Sequence, residues 1–152
     1  YTGEDTLSLH DALPIYSWRK SLVVKLFIKT EIDKMTPQQA YKKLKNSKGS
    51  KVKYEKYLTD SFYAYQYARD IIKGRFSLGE ITIAKNAIDS YYYAKDVLKD
   101  RFALGESTIA TNPEASYKYA CHIIKGRWKP GEGAIAENVQ FSYEYAVSWA
   151  GK

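Results

Sequence analysis

At 152 residues, with 45% hydrophobic and 27% charged residues, the chain has the length of one domain and enough apolar content to fold. No apolar run approaches the roughly 20 residues of a membrane-spanning helix; the longest, "SLVVKLFIK", is broken by Lys25 and lacks a signal-peptide cleavage pattern, so a cytoplasmic location is expected. The single cysteine, Cys121, excludes an internal disulfide framework and fits a reducing compartment, and a net charge of +7 makes its placement along the chain the question that bears on partners.

The chain opens "YTGEDTLSLHDALPIY", where His10 is followed at once by Asp11. "TLSLHDALPI" resembles the conceptual translation of a widely used short-read sequencing adapter. In one frame, ACT CTT TCC CTA CAC GAC GCT CTT CCG ATC encodes Thr6 through Ile15. The upstream adapter arm and a variable index account for "YTGED" in the same frame. Residues 1–15 therefore read as translated adapter and are set aside from fold reasoning, with His10 and Asp11 not catalytic. A genuine leader with a capped short helix is the alternative. The adapter reading implies an assembled environmental, metagenomic source.

Residues 16–34, "YSWRKSLVVKLFIKTEIDK", precede Met35, the only methionine. Translation starting at Met35 would make them upstream DNA, and the codons of Thr30-Glu31 have room for GGAG, a bacterial ribosome-binding core. A real N-terminal helix or strand is the alternative for this segment.

Repeat architecture begins beside Met35. Thr36-Pro37 reads as an N-cap followed by a first-turn proline, and Gln39 completes a capping box. "NSKGS" separates this helix from a second, and Tyr57-Leu58 stands where Ile-Ala stands in later units. Residues 35–59 are thus a degenerate N-terminal cap repeat, and a basic one. Lys42, Lys43, Lys45, Lys48, Lys51, Lys53 and Lys56 stand against Glu55 alone. Residues 35–152 hold 19 Lys+Arg and 12 Asp+Glu, whereas residues 60–152 hold 12 and 11, so nearly all the excess charge lies in this first unit.

From Asp60 onward the chain repeats with a period of 26. "YARDIIKGRFSLGE", "YAKDVLKDRFALGE" and "YACHIIKGRWKPGE" start at Tyr67, Tyr93 and Tyr119. Arg75, Arg101 and Arg127 keep the step, as do Glu80, Glu106 and Glu132. The units are 60–85, 86–111, 112–137 and a partial 138–152, which stops before the expected Arg-aromatic step. Each reads as two helices. Asp60, Asn86, Asn112 and Asn138 fall at one position and suit N-caps, with Pro113 in a first turn. Gly74, Asp100 and Gly126 mark the end of the first helix, where glycine fits a left-handed cap and Asp100 should cap less well. A shorter helix follows, opened by Ser77 and Glu80 at capping-box spacing.

Periodicity selects the packed face. With the cap as position 0 and about 100° per residue, positions 4, 5, 7, 8, 11 and 12 fall within an arc of about 160°. In the second unit these are Ser90, Tyr91, Tyr93, Ala94, Val97 and Leu98, while Asp89, Tyr92, Lys95 and Asp96 lie opposite. No such unit buries its face alone, and stacking makes a continuous core. The expected fold is all-α, an α-solenoid of helix-turn-helix repeats with a 26-residue period.

"YARDIIKGRF", "YACHIIKGRW" and the intervening "GE..IA" resemble tandem repeats in uncharacterised proteins of tailed bacteriophages and some bacteria, whose units are similar to "YA..VIKGRW.E.E..I..DP". The resemblance covers roughly residues 36–152. It implies a small all-helical repeat protein from a phage or prophage, in the host cytoplasm if phage-encoded, with no assigned reaction and no catalytic residues. "RFSLGE", "RFALGE" and Asp100 depart from the pattern.

Three groups of residues bear on function. The lysines of 35–59 suit an acidic partner or nucleic acid, with Tyr41, Tyr54 and Tyr57 interleaved. A polar end-cap is the favoured reading, since repeat arrays need one and arginine forks are lacking. The Arg75, Arg101, Arg127 row with Glu80, Glu106 and Glu132 suggests an internal ladder rather than a polyanion site. Tyr65, Tyr91, Tyr117 and Tyr143 flank the packed arc, and their hydroxyls are candidates to line a binding groove. Cys121-His122 does not make a nucleophile–base pair, because adjacent helical residues point about 100° apart. No metal-ligand cluster or phosphate-binding glycine loop appears, and no cofactor is expected. The sequence therefore reads as a non-enzymatic helical-repeat scaffold for a protein partner, host-directed if phage-encoded. The alternative is a nucleic-acid-associated protein using the basic cap. The oligomeric state stays open.

Overall fold

A computed structural model describes residues 21–26, 28–30, 34–47 and 52–150. Among them there is no strand, and the fold is all-α. The adapter-like residues 1–15, with His10 and Asp11, lie outside the described residues, as do Lys48, Lys51 and the last two positions. Contacts divide the chain into two compact units, Tyr1–Met35 and Thr36–Lys152. In the first, residues 21–26 and 28–30 are helical and exposed, Leu22, Val23, Val24, Leu26 and Ile28 included.

The second unit is a run of paired helices. Helix α1 (Pro37–Asn46) opens on a complete capping box: the Gln39 amide donates to Thr36 Oγ1 at 3.3 Å and the Thr36 amide to Gln39 Oε1 at 2.9 Å. A single turn, α2 (Val52–Glu55), follows. Helix α3 (Ser61–Gln66) runs on into a π-helical segment, Tyr67–Ile72. A 3₁₀ turn, Ser77–Gly79, leads to α4 (Glu80–Ile83). Helix α5 (Ala87–Tyr92) continues as π-helix over Tyr93–Leu98, and α6 (Ala103–Ile109) follows. Helix α7 (Pro113–Tyr119) continues over Ala120–Ile124, then α8 (Lys129–Ala136) and α9 (Val139–Trp149) end the described chain. Asp60, Asn86, Asn112 and Asn138 each accept from the amide three residues on, at 2.9–3.2 Å, satisfying a donor that a helix start leaves open. The Ser77–Glu80 capping box does not form. No side chain caps that turn, because the Glu80 carboxylate is engaged elsewhere.

The long helices end differently from expectation, and all three in the same way. The left-handed residue is a lysine, Lys73, Lys99 or Lys125, with φ of 56°, 58° and 55°, one position before the expected glycine. The amides of Gly74 and Gly126 reach back to the carbonyls of Ala68 and Ala120 at 3.1 and 3.3 Å, closing the wide π turn. Asp100 therefore carries no left-handed penalty; its Oδ1 instead accepts from the Arg101 amide at 2.7 Å. The π segment holds more residues per turn than the α-helical rotation assumes. Positions 11 and 12 consequently leave the packed face: Ile71, Val97, Leu98, Ile123 and Ile124 are only half-buried, and Ile72 is exposed. Asp89, expected on the open side, is buried, and Ser61 Oγ donates to its Oδ2 at 2.6 Å.

The core is built from positions 4, 7 and 8, the loop aromatics and the short-helix isoleucines. Tyr67, Tyr93, Tyr119 and Tyr145 are buried, as are Ala68, Ala94 and Ala120, Phe76, Phe102 and Trp128, and Ile83, Ile109 and Ile135. Ser90 and Ser116 are buried small residues whose hydroxyls donate to the Ile83 and Ile109 carbonyls at 3.0 and 2.8 Å. Close approach explains the glycine of "LGE" and "PGE". A Cβ on Gly105 would stand 2.5 Å from the Phe102 ring and 2.8 Å from Ser90 Oγ; one on Gly131 would stand 2.5 Å from the Trp128 ring. Around Gly126 there is room. Gly105→Ala is accordingly expected to cost about 1–3 kcal/mol by overpacking and Gly126→Ala far less, as read by urea denaturation. Asn112→Ala should cost about 1 kcal/mol through loss of its cap, seen as a lower melting temperature.

Candidate functional site

The repeated Arg, Glu and Tyr residues meet at one point in each unit. Between the long and short helices the chain turns through Arg-aromatic, and the aromatic ring goes inward. Its amide is then buried with no helical partner. The tyrosine of the next long helix supplies one: the Phe76 amide donates to Tyr93 Oη at 2.9 Å, the Phe102 amide to Tyr119 Oη at 3.0 Å and the Trp128 amide to Tyr145 Oη at 2.7 Å. Each hydroxyl passes its own proton to the unit's glutamate, Tyr93 to Glu80 at 3.0 Å, Tyr119 to Glu106 at 2.8 Å and Tyr145 to Glu132 at 3.1 Å. Each glutamate is gripped from outside by its arginine, with Arg101 Nε and Nη2 at 2.7 and 2.8 Å from the two oxygens of Glu106. Arg75–Glu80 and Arg127–Glu132 repeat the pair at 2.7 and 3.0 Å. These arginines and glutamates are thus turned on one another within each unit.

The cap repeat, residues 35–59, joins the same scheme through a residue the spacing did not single out. Tyr67 Oη donates to Glu55, which takes the place that Glu80 takes for Tyr93. The signal was present but offset, since Glu55 precedes its tyrosine by 12 residues and Glu80 by 13.

The tyrosines proposed for a groove are mostly committed between units. Tyr65 is buried and donates to Asp96 Oδ2 at 2.7 Å; Tyr91 is buried with Oη 2.7 Å from His122 Nδ1. Tyr117 is half-buried, stacked on Phe141 at 5.5 Å between centroids and turned toward Glu144 and Cys121. Tyr143 alone of the four is exposed. Tyr41 extends the pattern, donating to Asp70 Oδ2 at 3.0 Å. The partners Asp70, Asp96 and His122 share position 10, which α-helical rotation puts on the open side; the π segment carries it round to the neighbouring unit.

The basic surface is the other candidate. Lys42, Lys43, Lys45, Lys53 and Lys56 are exposed. Lys43 Nζ and Lys53 Nζ lie 5.9 and 5.5 Å from the centre of the Tyr54 ring, and Lys56 Nζ lies 4.8 Å from that of Tyr57. Two shallow clefts flank α1. One, ≈ 380 Å³, is lined by Lys42, Lys43, Asn46, Ser47 and Tyr54; the other, ≈ 430 Å³, by Gln38, Tyr41, Lys42, Lys45, Asn46 and Tyr63. The Tyr57 hydroxyl is buried without a hydrogen-bond partner among the described residues, so that ring packs rather than reaches outward.

Cys121 and His122 are not poised for each other. Burial pushes the Cys121 thiol up, away from the reactive thiolate. Burial first, then Lys95 and Lys118, hold the His122 imidazole below its ordinary value, and its Nδ1 is taken by Tyr91. Among the described residues no three His, Cys, Asp or Glu side chains stand together in a way that could hold a metal ion, and no helix is long and apolar enough to cross a membrane.

Tyr119→Phe removes the only hydroxyl on the Phe102 amide and is expected to cost about 1–3 kcal/mol, whereas Tyr57→Phe should cost nothing, both read by urea denaturation. Stability should also fall in alkali. Burial, the largest cause in each case, raises the phenols of Tyr65, Tyr91 and Tyr93 to about 12, against 10.0 for a free tyrosine. Stability carried by these neutral phenols is complete below pH 10 and is lost as the pH climbs through the raised values. Glu106 works in the opposite sense: Arg101 holds its carboxyl low, so its contribution is present above the ordinary carboxylate range and is lost as the pH falls through the lowered value. Denaturation midpoints measured from acid to alkali should form a dome, and Glu106→Gln should flatten its acid side.

Compared with known proteins, the chain matches no protein-family model, no curated protein and no solved structure.

Proposed function

We propose that the second unit is an α-solenoid of 26-residue helix-turn-helix repeats that serves as a non-enzymatic scaffold for a protein partner. The observation that carries this reading is what the repeats leave outside. The recurrent arginines and glutamates are paired with one another and most of the recurrent tyrosines are engaged within the row, while Leu78 in the 3₁₀ turn, Ile81 in α4 and Leu104 in α6 are 76%, 68% and 52% exposed, α4 and α6 contacting each other. A row of exposed large aliphatic side chains on a folded surface suits a protein contact. If the likeness of "YARDIIKGRF" and "YACHIIKGRW" to phage repeats reflects a phage origin, the partner is a host factor and the site of action the host cytoplasm.

The exposed lysines of the basic cap repeat favour a second reading, nucleic-acid binding, because α1 carries Lys42, Lys43 and Lys45 and no acidic residue. Two experiments separate the readings. A triple variant, Leu78→Asp, Ile81→Asp and Leu104→Asp, should lose a partner that the wild-type chain captures from host extract at unchanged melting temperature; capture of the same protein by both rejects the aliphatic surface. Retention on nucleic acid should be weak and unaffected by Lys43→Glu, Lys51→Glu and Lys53→Glu. Tight, salt-sensitive retention that those changes abolish replaces the first reading with the second.

A further inference from the structure

Helices α3 and α5 leave a cleft of ≈ 320 Å³ between them. Its walls are aromatic: Phe62 and Tyr65 come from α3 and Tyr92 from α5, the Tyr65 and Tyr92 rings stacking at 6.2 Å between centroids. Phe62 is 46% exposed and Tyr92 half-buried, so ring surface stays open at the mouth. Two carboxylates line the same cleft, Asp89 of α5 and Asp96 of the π segment that continues it. The repeat does not explain Asp89. It holds position 3, where the other units place Tyr63, Ala115 and Phe141. It is 9% exposed, and its one side-chain partner among the described residues is the neutral Ser61 hydroxyl, on Oδ2. Asp96 takes only the Tyr65 hydroxyl.

Among the described residues no lysine or arginine forms an ion pair with either carboxylate. Burial raises the Asp89 carboxyl above its ordinary value; the Ser61 bond lowers it, Asp60 raises it further, and no cation offsets them. A buried carboxylate without a counter-charge is costly. The next long helix shows what is missing. In α7, positions 2 and 6 are Glu114 and Lys118, which pair with each other. In α5 the same positions are Ile88 and Tyr92, so a ring stands where the cation stood. Arg69, at the edge of the cleft, does not supply one. Its Nε and Nη2 are given to Asp70, at 2.6 and 3.0 Å, while its guanidinium lies 5.0 Å from the centre of the Tyr65 ring. That contact shows that a ring of this cleft accepts a guanidinium.

We propose that the cleft between α3 and α5 takes the guanidinium of an arginine side chain carried by a peptide chain, held against the Phe62 and Tyr92 rings and hydrogen-bonded to Asp89 and Asp96. Arginine suits the cleft better than lysine, because it is planar, sheds water more readily and offers several donors to two carboxylates. A free amino acid would bring its own carboxylate beside Asp60, Asp89 and Asp96; within a peptide that charge is gone. The inference goes beyond the aliphatic surface of α4 and α6 and does not depend on it.

Titration of the full chain with acetyl-Gly-Arg-Gly-amide, followed by backbone amide shifts in NMR, tests it. The shifts should saturate and centre on Ile88, Asp89 and Tyr92, and the citrulline peptide, which keeps the shape and loses the charge, should give none. Asp89→Asn keeps an acceptor for Ser61, so it should hold the wild-type melting temperature while weakening binding roughly tenfold or more. Asp96→Asn keeps an acceptor for Tyr65 and should do the same. Asp100→Asn, an equal change of charge at an exposed position that does not line the cleft, should leave binding unchanged. Absence of shifts overturns the proposal, as does binding that citrulline or Asp89→Asn leaves intact. Tighter binding of free arginine than of the peptide overturns it as well, and would make the cleft a small-molecule site. The Leu78→Asp, Ile81→Asp, Leu104→Asp variant should bind the peptide as the wild type does, so failure of the aliphatic surface and failure of this cleft are separate results.

Discussion

The amide of the residue after Arg75, Arg101 and Arg127 governs how this chain holds together. Phe76, Phe102 and Trp128 turn their rings into the core, and doing so takes their own N–H out of water. An unmade hydrogen bond there costs about 1–3 kcal/mol. The acceptor comes from the tyrosine 17 residues on, in the next long helix. A unit is therefore incomplete without its successor, in polar as well as apolar terms. That tyrosine cannot be replaced by phenylalanine at equal cost, which accounts for tyrosine rather than phenylalanine at Tyr93, Tyr119 and Tyr145. The glutamate and arginine follow from it. Once the hydroxyl accepts from the amide, its proton needs an acceptor, and the carboxylate that takes it needs a counter-charge at the surface.

The same constraint separates what was legible from what was not. The caps at Thr36, Asp60, Asn86, Asn112 and Asn138 depend on neighbours three residues away, so local spacing is enough to read them. The buried alanines and isoleucines follow from the period. The π segments do not, because nothing in the α-helical template distinguishes a five-residue ring from a four-residue one. That single error has connected consequences. It put Val97 and Leu98 on the packed face, left Asp96 and His122 on the open one and assigned the left-handed residue to Gly126 instead of Lys125. Glycine at Gly105 and Gly131 was visible as a helix start, but its reason, contact with the Phe102 or Trp128 ring, lies in tertiary packing.

For the candidate site the charges were more readable than the tyrosines. Arginine and glutamate at a fixed five-residue spacing point to a pair, and Arg101 and Glu106 form a two-bonded one. The hydroxyls of Tyr65 and Tyr91 are groove candidates in the sequence because their positions flank the packed arc. With the π segment in place they become bonds between units, and the groove loses its polar lining. Glu55 escaped notice because the first unit is one residue out of register with the rest.

These bonds also give the row of helices a direction. Tyr41 and Tyr65 donate forward, to Asp70 and Asp96 of the following helix. The α1 end shows amides and ammonium groups, which water solvates well. The α9 end shows Val139, Tyr143 and Val147, which water solvates poorly. The exposed lysines of α1 and the exposed Val139, Tyr143 and Val147 of α9 are thus surfaces of different chemistry on one run of helices.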